Sequence, residues 1–159
     1  MTARVIAVAN QKGGVGKTTT AINLAASLAL VERRVLAVDI DPQANLTSGI
    51  GLKGQASSQG TVYEALIAKT IPDFAGFVLQ TTVSGLSLVP AERNLTGAEF
   101  DLRELENGKS RLRSLVRQLV GRYDYIFIDT PPSLGLLTLN GLVAADTVLI
   151  PMLSEYFAL

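Results

Sequence analysis

Short, uninterrupted apolar runs alternate along this chain with stretches in which apolar residues return at every third or fourth position. The runs Val5-Ile6-Ala7-Val8-Ala9 and Val35-Leu36-Ala37-Val38 predict buried strands, as do Leu86-Ser87-Leu88-Val89 and Thr147-Val148-Leu149-Ile150. Tyr123-Asp124-Tyr125-Ile126-Phe127-Ile128-Asp129 predicts another, closed by an aspartate, and a weaker strand is expected around 77–80. Between the strands, Ala21, Leu24, Ala25, Leu28 and Ala29 share one face at helical spacing. Leu112, Leu115, Val116 and Leu119 do the same within 109–120. Shorter helices are expected at 61–67 and 137–145. Gly, Ser, Gln, Asn and Thr dominate 43–59, which predicts a loop, and the stretch from Pro72 to Gly76 breaks the pattern again. Strand and helix in alternation predict right-handed βαβ crossovers. The expected fold is α/β: a mostly parallel sheet flanked by helices, in a single domain over 1–159.

The first strand runs into Asn10-Gln11-Lys12-Gly13-Gly14-Val15-Gly16-Lys17-Thr18-Thr19, and the first helix follows at once. Strand, glycine loop and helix is the context a phosphate-binding loop requires. Glycines at 13, 14 and 16 let backbone N–H groups turn inward around phosphate oxygens, where side chains would block the approach. The helix N-terminus adds partial positive charge, Lys17 can reach the β- and γ-phosphates, and the Thr18 hydroxyl can ligate Mg2+. Gly13, Gly14, Val15, Gly16, Lys17, Thr18 and Thr19 are therefore the candidate cofactor-binding residues. The general pattern G-x-x-x-x-G-K-[ST] is not met, because Gln11 holds its first glycine position. A second lysine, Lys12, stands before the glycine pair instead.

Composition narrows the chemistry. With 159 residues and 48% hydrophobic content the chain can build one sizeable core. Its 14 basic residues balance 14 acidic ones and its pI is about 6.3, so no global pull toward nucleic acid or an anionic membrane follows. Arg111, Arg113, Arg117 and Arg122 mostly lie opposite the apolar face of 109–120 and predict a solvated helix surface. Cysteine and histidine are both absent, which excludes disulfides, thiolate metal sites, iron–sulfur clusters and imidazole bases. Catalysis must then use carboxylates, lysines, hydroxyls and a metal held by oxygen. No signal h-region precedes the first strand and no apolar run is long enough to span a bilayer, so a soluble, cytoplasmic protein without a membrane partner is expected.

Two further motifs leave strands: Asp39-Ile40-Asp41-Pro42-Gln43 and Asp129-Thr130-Pro131-Pro132-Ser133-Leu134-Gly135. With 10–19 they fall at the carboxyl ends of predicted parallel strands, where α/β sheets bind ligands. Phosphoryl transfer to water needs the γ-phosphate held, its charge neutralised and a water placed in line. Thr18 is the expected direct ligand of Mg2+, and Asp129 is placed to hold the metal or its waters. Asp39 and Asp41 share one side if the strand extends that far, although Pro42 turns it soon after. Either can support the metal's water shell, and either can orient the attacking water.

These motifs resemble the ParA/MinD class of dimerising ATPases, and within it the ParA/Soj branch. Lys12-Gly13-Gly14-Val15-Gly16-Lys17-Thr18-Thr19 is similar to the deviant phosphate loop of that class, 39–43 to its switch I, and 129–135 to its Walker B and switch II. Leu137-Thr138-Leu139-Asn140 and the tail Pro151-Met152-Leu153-Ser154-Glu155-Tyr156-Phe157-Ala158-Leu159 resemble the ParA/Soj branch as well. The resemblance implies a P-loop NTPase fold, ATP and Mg2+ as cofactors, and an ATP-dependent homodimer. It implies that Lys12 crosses the dimer interface to the partner's nucleotide, that Asp41 positions the hydrolytic water, and that Asp39 supports the metal's water shell. The implied catalytic set is Asp41, Lys12 and Lys17, and the implied metal set is Thr18, Asp39 and Asp129. Gly14 lies where two loops meet in such a dimer.

Members of this family bind DNA non-specifically, associate with the nucleoid and respond to a ParB-type partner during chromosome or plasmid partitioning. They continue past the position of Leu159 through strands and helices that complete the sheet, contact adenine and bind DNA. The C-terminal part of the domain, with its DNA-binding region, is accordingly expected to be missing here, leaving an exposed apolar sheet edge after Ile150. Alternative expectations are a non-hydrolysing or dominant-negative nucleotide-binding fragment and a MinD-like positioning ATPase. The Asp-Pro-Gln switch and the Glu-Tyr-Phe-Ala-Leu tail favour the ParA branch. If the loop assignment holds, Lys17→Ala abolishes Mg-ATP binding in calorimetry, and a variant of unchanged affinity refutes it.

Overall fold

A computed structural model of the chain describes residues 2–154. Each predicted apolar run forms a strand: β1 (Arg4–Val8), β2 (Val35–Asp39), β3 (Leu79–Gln80), β4 (Leu86–Val89), β5 (Tyr125–Asp129) and β6 (Thr147–Leu149). They join one sheet in the order β3-β4-β2-β5-β1-β6. All neighbours are parallel except β3, whose Leu79 and Gln80 pair antiparallel with Leu88 and Ser87. The central strands are apolar throughout because both faces of the sheet are covered. Val5, Leu36, Val38, Ile126 and Ile128 point into one core layer, while Val8, Val35, Ala37, Leu88 and Phe127 point into the other.

The helices are α1 (Lys17–Leu30), α2 (Asn45–Gly49), α3 (Val62–Ile67), α4 (Ala98–Arg103), α5 (Arg111–Val116) and α6 (Leu136–Ala144). α1 covers the second layer with Ala21, Ala25 and Ala29, small side chains that let helix and sheet approach closely. Leu24, expected on this buried face, is 40% exposed. The contact stripe is narrower than the apolar spacing suggested, because alanines already fill the space beside the sheet. α3 begins at a capping box, with Thr61 and Glu64 bonding each other's side of the first turn. α2 lies inside the predicted loop 43–59. Its residues are weak helix formers, and burial of Leu46 and Thr47 holds the single turn. α4 was not expected from the sequence; Ala98 and Leu102 bury its inner side.

Two polar side chains bind the outer helices together. Asn140 of α6 is fully buried; its Oδ1 accepts from the Leu112 amide at 3.0 Å, capping α5 through space, and its Nδ2 donates to Gly108 O at 2.7 Å and Leu136 O at 2.9 Å. Arg111, expected on a solvated face, is instead buried. Its guanidinium donates to the carbonyls of Leu66, Ala68 and Thr70, where α3 ends and its dipole is negative, and to Asn107 Oδ1. Arg113 and Arg122 are exposed as predicted. At the other side of the sheet β6 forms an edge on which Thr147, Val148 and Ile150 are exposed. Residues 155–159 of the tail quoted above lie outside the described residues. Asn140→Ala leaves the Leu112 amide and Gly108 carbonyl without partners, and about 2–3 kcal/mol of stability is expected to be lost, read as a lower urea midpoint.

Candidate functional site

Parallel register sets the ends of three central strands level. Val8 pairs with Asp129 and Asp129 with Asp39, so the two carboxylates stand side by side at the carboxyl edge. Residues alternate between faces along a strand, and Asp39 and Asp129 share parity with Val35, Ala37 and Phe127. Both therefore lie on the side covered by α1. The loop from β1 delivers the N-terminus of α1 to the same place. Gly14 and Gly16 adopt φ of 74° and 84°, which a Cβ would strain, and Gly16 caps α1 without any side-chain hydrogen bond. The first amides of α1 are thus directed at the space between loop and sheet.

That space is a cleft of about 330 Å³, lined by Gly13, Gly14, the Gly16–Thr19 turn, Asp41, Gln43, Asn45 and Pro132. Lys17 is buried beneath it, and Thr18 Oγ1 donates to Asp129 Oδ2 at 2.7 Å. Val15 is also buried and is not among the residues that line the cleft. A Cβ added at Gly13 or Gly14 meets no atom within 4 Å. Room for a ligand or a second molecule is kept open there. Lys12 is placed differently. It is exposed, its amide is held by Asn10 Oδ1 at 2.9 Å, and it borders a neighbouring cleft with Pro131, Ser133 and Leu134. Within one copy, Lys12 and Lys17 are not brought to the same cleft.

The carboxylates differ in how they are satisfied. Asp39 is fully buried: Oδ1 accepts from the Asp41 amide at 3.1 Å, and Oδ2 accepts from the Thr47 amide at 2.9 Å and the Thr47 hydroxyl at 2.7 Å. Burial pushes its pKa up to about 6 in spite of these bonds, and the charge of Asp41 acts in the same direction. β2 ends at Asp39, so Asp41 stands on the loop beyond, where its Oδ1 accepts from the Gln43 amide at 2.9 Å. Asp129 is pushed up to about 7, mainly by burial. The Thr18 hydrogen bond opposes that, Asp39 and Asp41 reinforce it, and Lys17 moderates it. Its Oδ1 is buried with no hydrogen-bond partner among the described residues. An orphaned buried carboxylate oxygen, on a group whose other oxygen is bonded by a hydroxyl, fits a hard divalent cation. Among the described residues no group of three or more acidic side chains gathers to hold a metal by protein alone. This suits Mg2+, which keeps waters and takes further oxygens from phosphates.

Asn45 lines the cleft and Thr47 bonds Asp39 behind it, although both fall within 43–59, whose composition predicts a loop. The available signal is their place just beyond Asp-Pro-Gln and Ala44, with the apolar anchor Leu46 between them. No helix among the described residues is long and apolar enough to cross a membrane.

Residues 3–159 match the AAA domain family. The chain is 56% identical over 156 residues to the chromosome partitioning protein ParA of Myxococcus xanthus, covering 98% of this chain and 54% of that protein. It is 48% identical to the sporulation initiation inhibitor protein Soj of Bacillus subtilis, covering 98% of this chain and 60% of that one. Among solved structures, it superposes with a TM-score of 0.90 and 41% identity on a cobyrinic acid a,c-diamide synthase from Mycobacterium smegmatis with bound ATP analogue and magnesium, covering 99% and 63%. A putative plasmid partition protein from Borrelia burgdorferi bound to AMPPNP gives 0.87 at 34% identity, covering 99% and 66%. The fold is that of the P-loop NTPases. The chain spans a little over half the length of the curated relatives it matches.

Because Asp39 and Asp129 bind protons more tightly folded than unfolded, stability gained below the ordinary carboxylate pKa is lost as pH rises toward about 7. Without nucleotide or metal, the thermal midpoint is expected to be higher near about pH 5 than near about pH 8, and a rise over that interval contradicts the assignment.

Proposed function

The chain belongs to the ParA/Soj family of AAA-domain proteins, and on that premise we propose that it binds Mg-ATP and acts in an ATP-hydrolysing dimerisation switch for chromosome or plasmid partitioning. The observation that carries this reading is the contact of Thr18 with Asp129 beneath a glycine loop, beside an unpaired buried carboxylate oxygen. Loop amides from Gly13 to Thr19 and the Lys17 ammonium hold the phosphates. Thr18 and Asp129 would hold Mg2+ and its waters, with Asp39, buried behind the cleft, supporting that water shell. When bound, the metal neutralises charge on the β- and γ-phosphate oxygens.

Asp41 stands on the first loop after β2, at the wall of the cleft, and orients the attacking water toward the γ-phosphate. A carboxylate there acts chiefly by position, since proton transfer contributes little early in phosphoryl transfer. Lys12 lies outside its own cleft and reaches the nucleotide of a second copy, so dimerisation completes the charge complement. Gly13 and Gly14 keep the meeting surface free of side chains. For a whole protein of the relatives' length, the reading extends to non-specific DNA, a ParB-type partner and nucleoid association.

A second reading, nucleotide binding without turnover, is favoured by the same placement of Lys12, which leaves a single copy one cation short. Steady-state phosphate release from this chain, with Lys17→Ala as the blank, separates the two. Asp41→Ala is expected to keep Mg-ATP affinity within about threefold while slowing phosphate release about tenfold or more. Loss of binding instead makes Asp41 a metal-holding residue. Lys12→Ala should bind Mg-ATP as a monomer yet show no ATP-dependent dimer in sedimentation; a variant that still dimerises overturns the role given to Lys12.

A further inference from the structure

Thr47 is 1% exposed and sits on α2, which leaves the Asp39–Gln43 segment and passes behind it. Its backbone N–H and its hydroxyl both meet Asp39 Oδ2, at 2.9 and 2.7 Å. The same hydroxyl oxygen accepts from the Ala91 amide at 3.0 Å, on the loop leaving β4. An amide can only donate, so the hydroxyl oxygen receives the Ala91 proton and directs its own hydrogen to Asp39. The remaining partner of Asp39 is the Asp41 amide on Oδ1 at 3.1 Å, again a donor only. Every group bonded to Asp39 therefore requires it to be an acceptor. Thr47 supplies two of those bonds, and Asp39 in turn holds the backbone of Asp41.

We infer that Thr47 is a positioning residue for the nucleotide reaction, fixing Asp41 through Asp39 and tying this segment to the exit of β4. The inference rests on the Mg-ATP reading above and adds a residue to it. Thr47 is not among the residues that line the cleft, so its hydroxyl should matter for turnover and not for nucleotide affinity. Valine removes the hydroxyl at nearly constant shape, stranding the Ala91 amide and one lone pair of Asp39, whereas serine keeps both bonds.

The test compares Thr47→Val and Thr47→Ser with the parent chain in three measurements. These are backbone amide exchange, affinity for Mg-AMPPNP by calorimetry, and phosphate release. For the valine variant, exchange at the Asp41 and Ala91 amides should rise about tenfold or more, with phosphate release falling by a similar factor and affinity staying within about threefold. The serine variant should restore all three. A valine variant that keeps parental exchange at Asp41, or parental phosphate release, overturns the inference. So does a serine variant as impaired as the valine one, since the hydroxyl would then not be the cause. Failure of the parent to bind Mg-AMPPNP overturns the nucleotide reading and the turnover role of Thr47 with it, and exchange at Asp41 still decides whether Thr47 holds the segment.

Discussion

Two carboxylates, Asp39 and Asp129, end neighbouring parallel strands with no exposure to solvent, and the surrounding structure is arranged to satisfy them. Buried charge is costly unless it is bonded or paired. Asp39 meets that requirement within the chain, through three donors from Asp41 and Thr47. Asp129 meets it by half, through Thr18, and its other oxygen is left without a hydrogen-bond partner among the described residues. The asymmetry lies in the bonding: Asp39 is tied fully into the protein around the site, and Asp129 is tied by one oxygen alone.

Bringing Thr18 to Asp129 depends on the whole layer that carries α1. The alanines at 21, 25 and 29 pack against the sheet without bulk, so the first turn of the helix reaches the ends of β1 and β5. The opposite layer serves as support. Asn140 caps α5 from α6, and Arg111 gathers the carbonyls that end α3, so three short helices with little intrinsic stability behave as one backing for the sheet.

Charge is divided along the same lines. Lys17 lies beneath the loop and is committed to the cleft, whereas Lys12 stands outside it, a few residues away in sequence but facing another surface. One loop thus presents two cations in two directions. A glycine pair between them allows the backbone to turn and keeps the surface open.

Strands, the first helix, the glycine loop and the three aspartates were legible in the sequence, because continuous apolar runs, helical spacing and strand-loop-helix order are local properties of the chain. The sequence by itself determined that a parallel sheet would bring residues 10–19, 39–43 and 129–135 to one edge. What it left undecided turned on contacts between distant segments. Arg111 reads as a surface cation until the end of α3 is laid against it, and Leu24 reads as core until alanines are seen to fill the space. α2 and Thr47 read as loop because their helix propensity is weak, and only the burial of Leu46 and the bonds to Asp39 and Ala91 make them structure. The tertiary fold also decided that Lys12 and Lys17 face different clefts, since spacing along a glycine loop does not fix direction when the backbone takes positive φ.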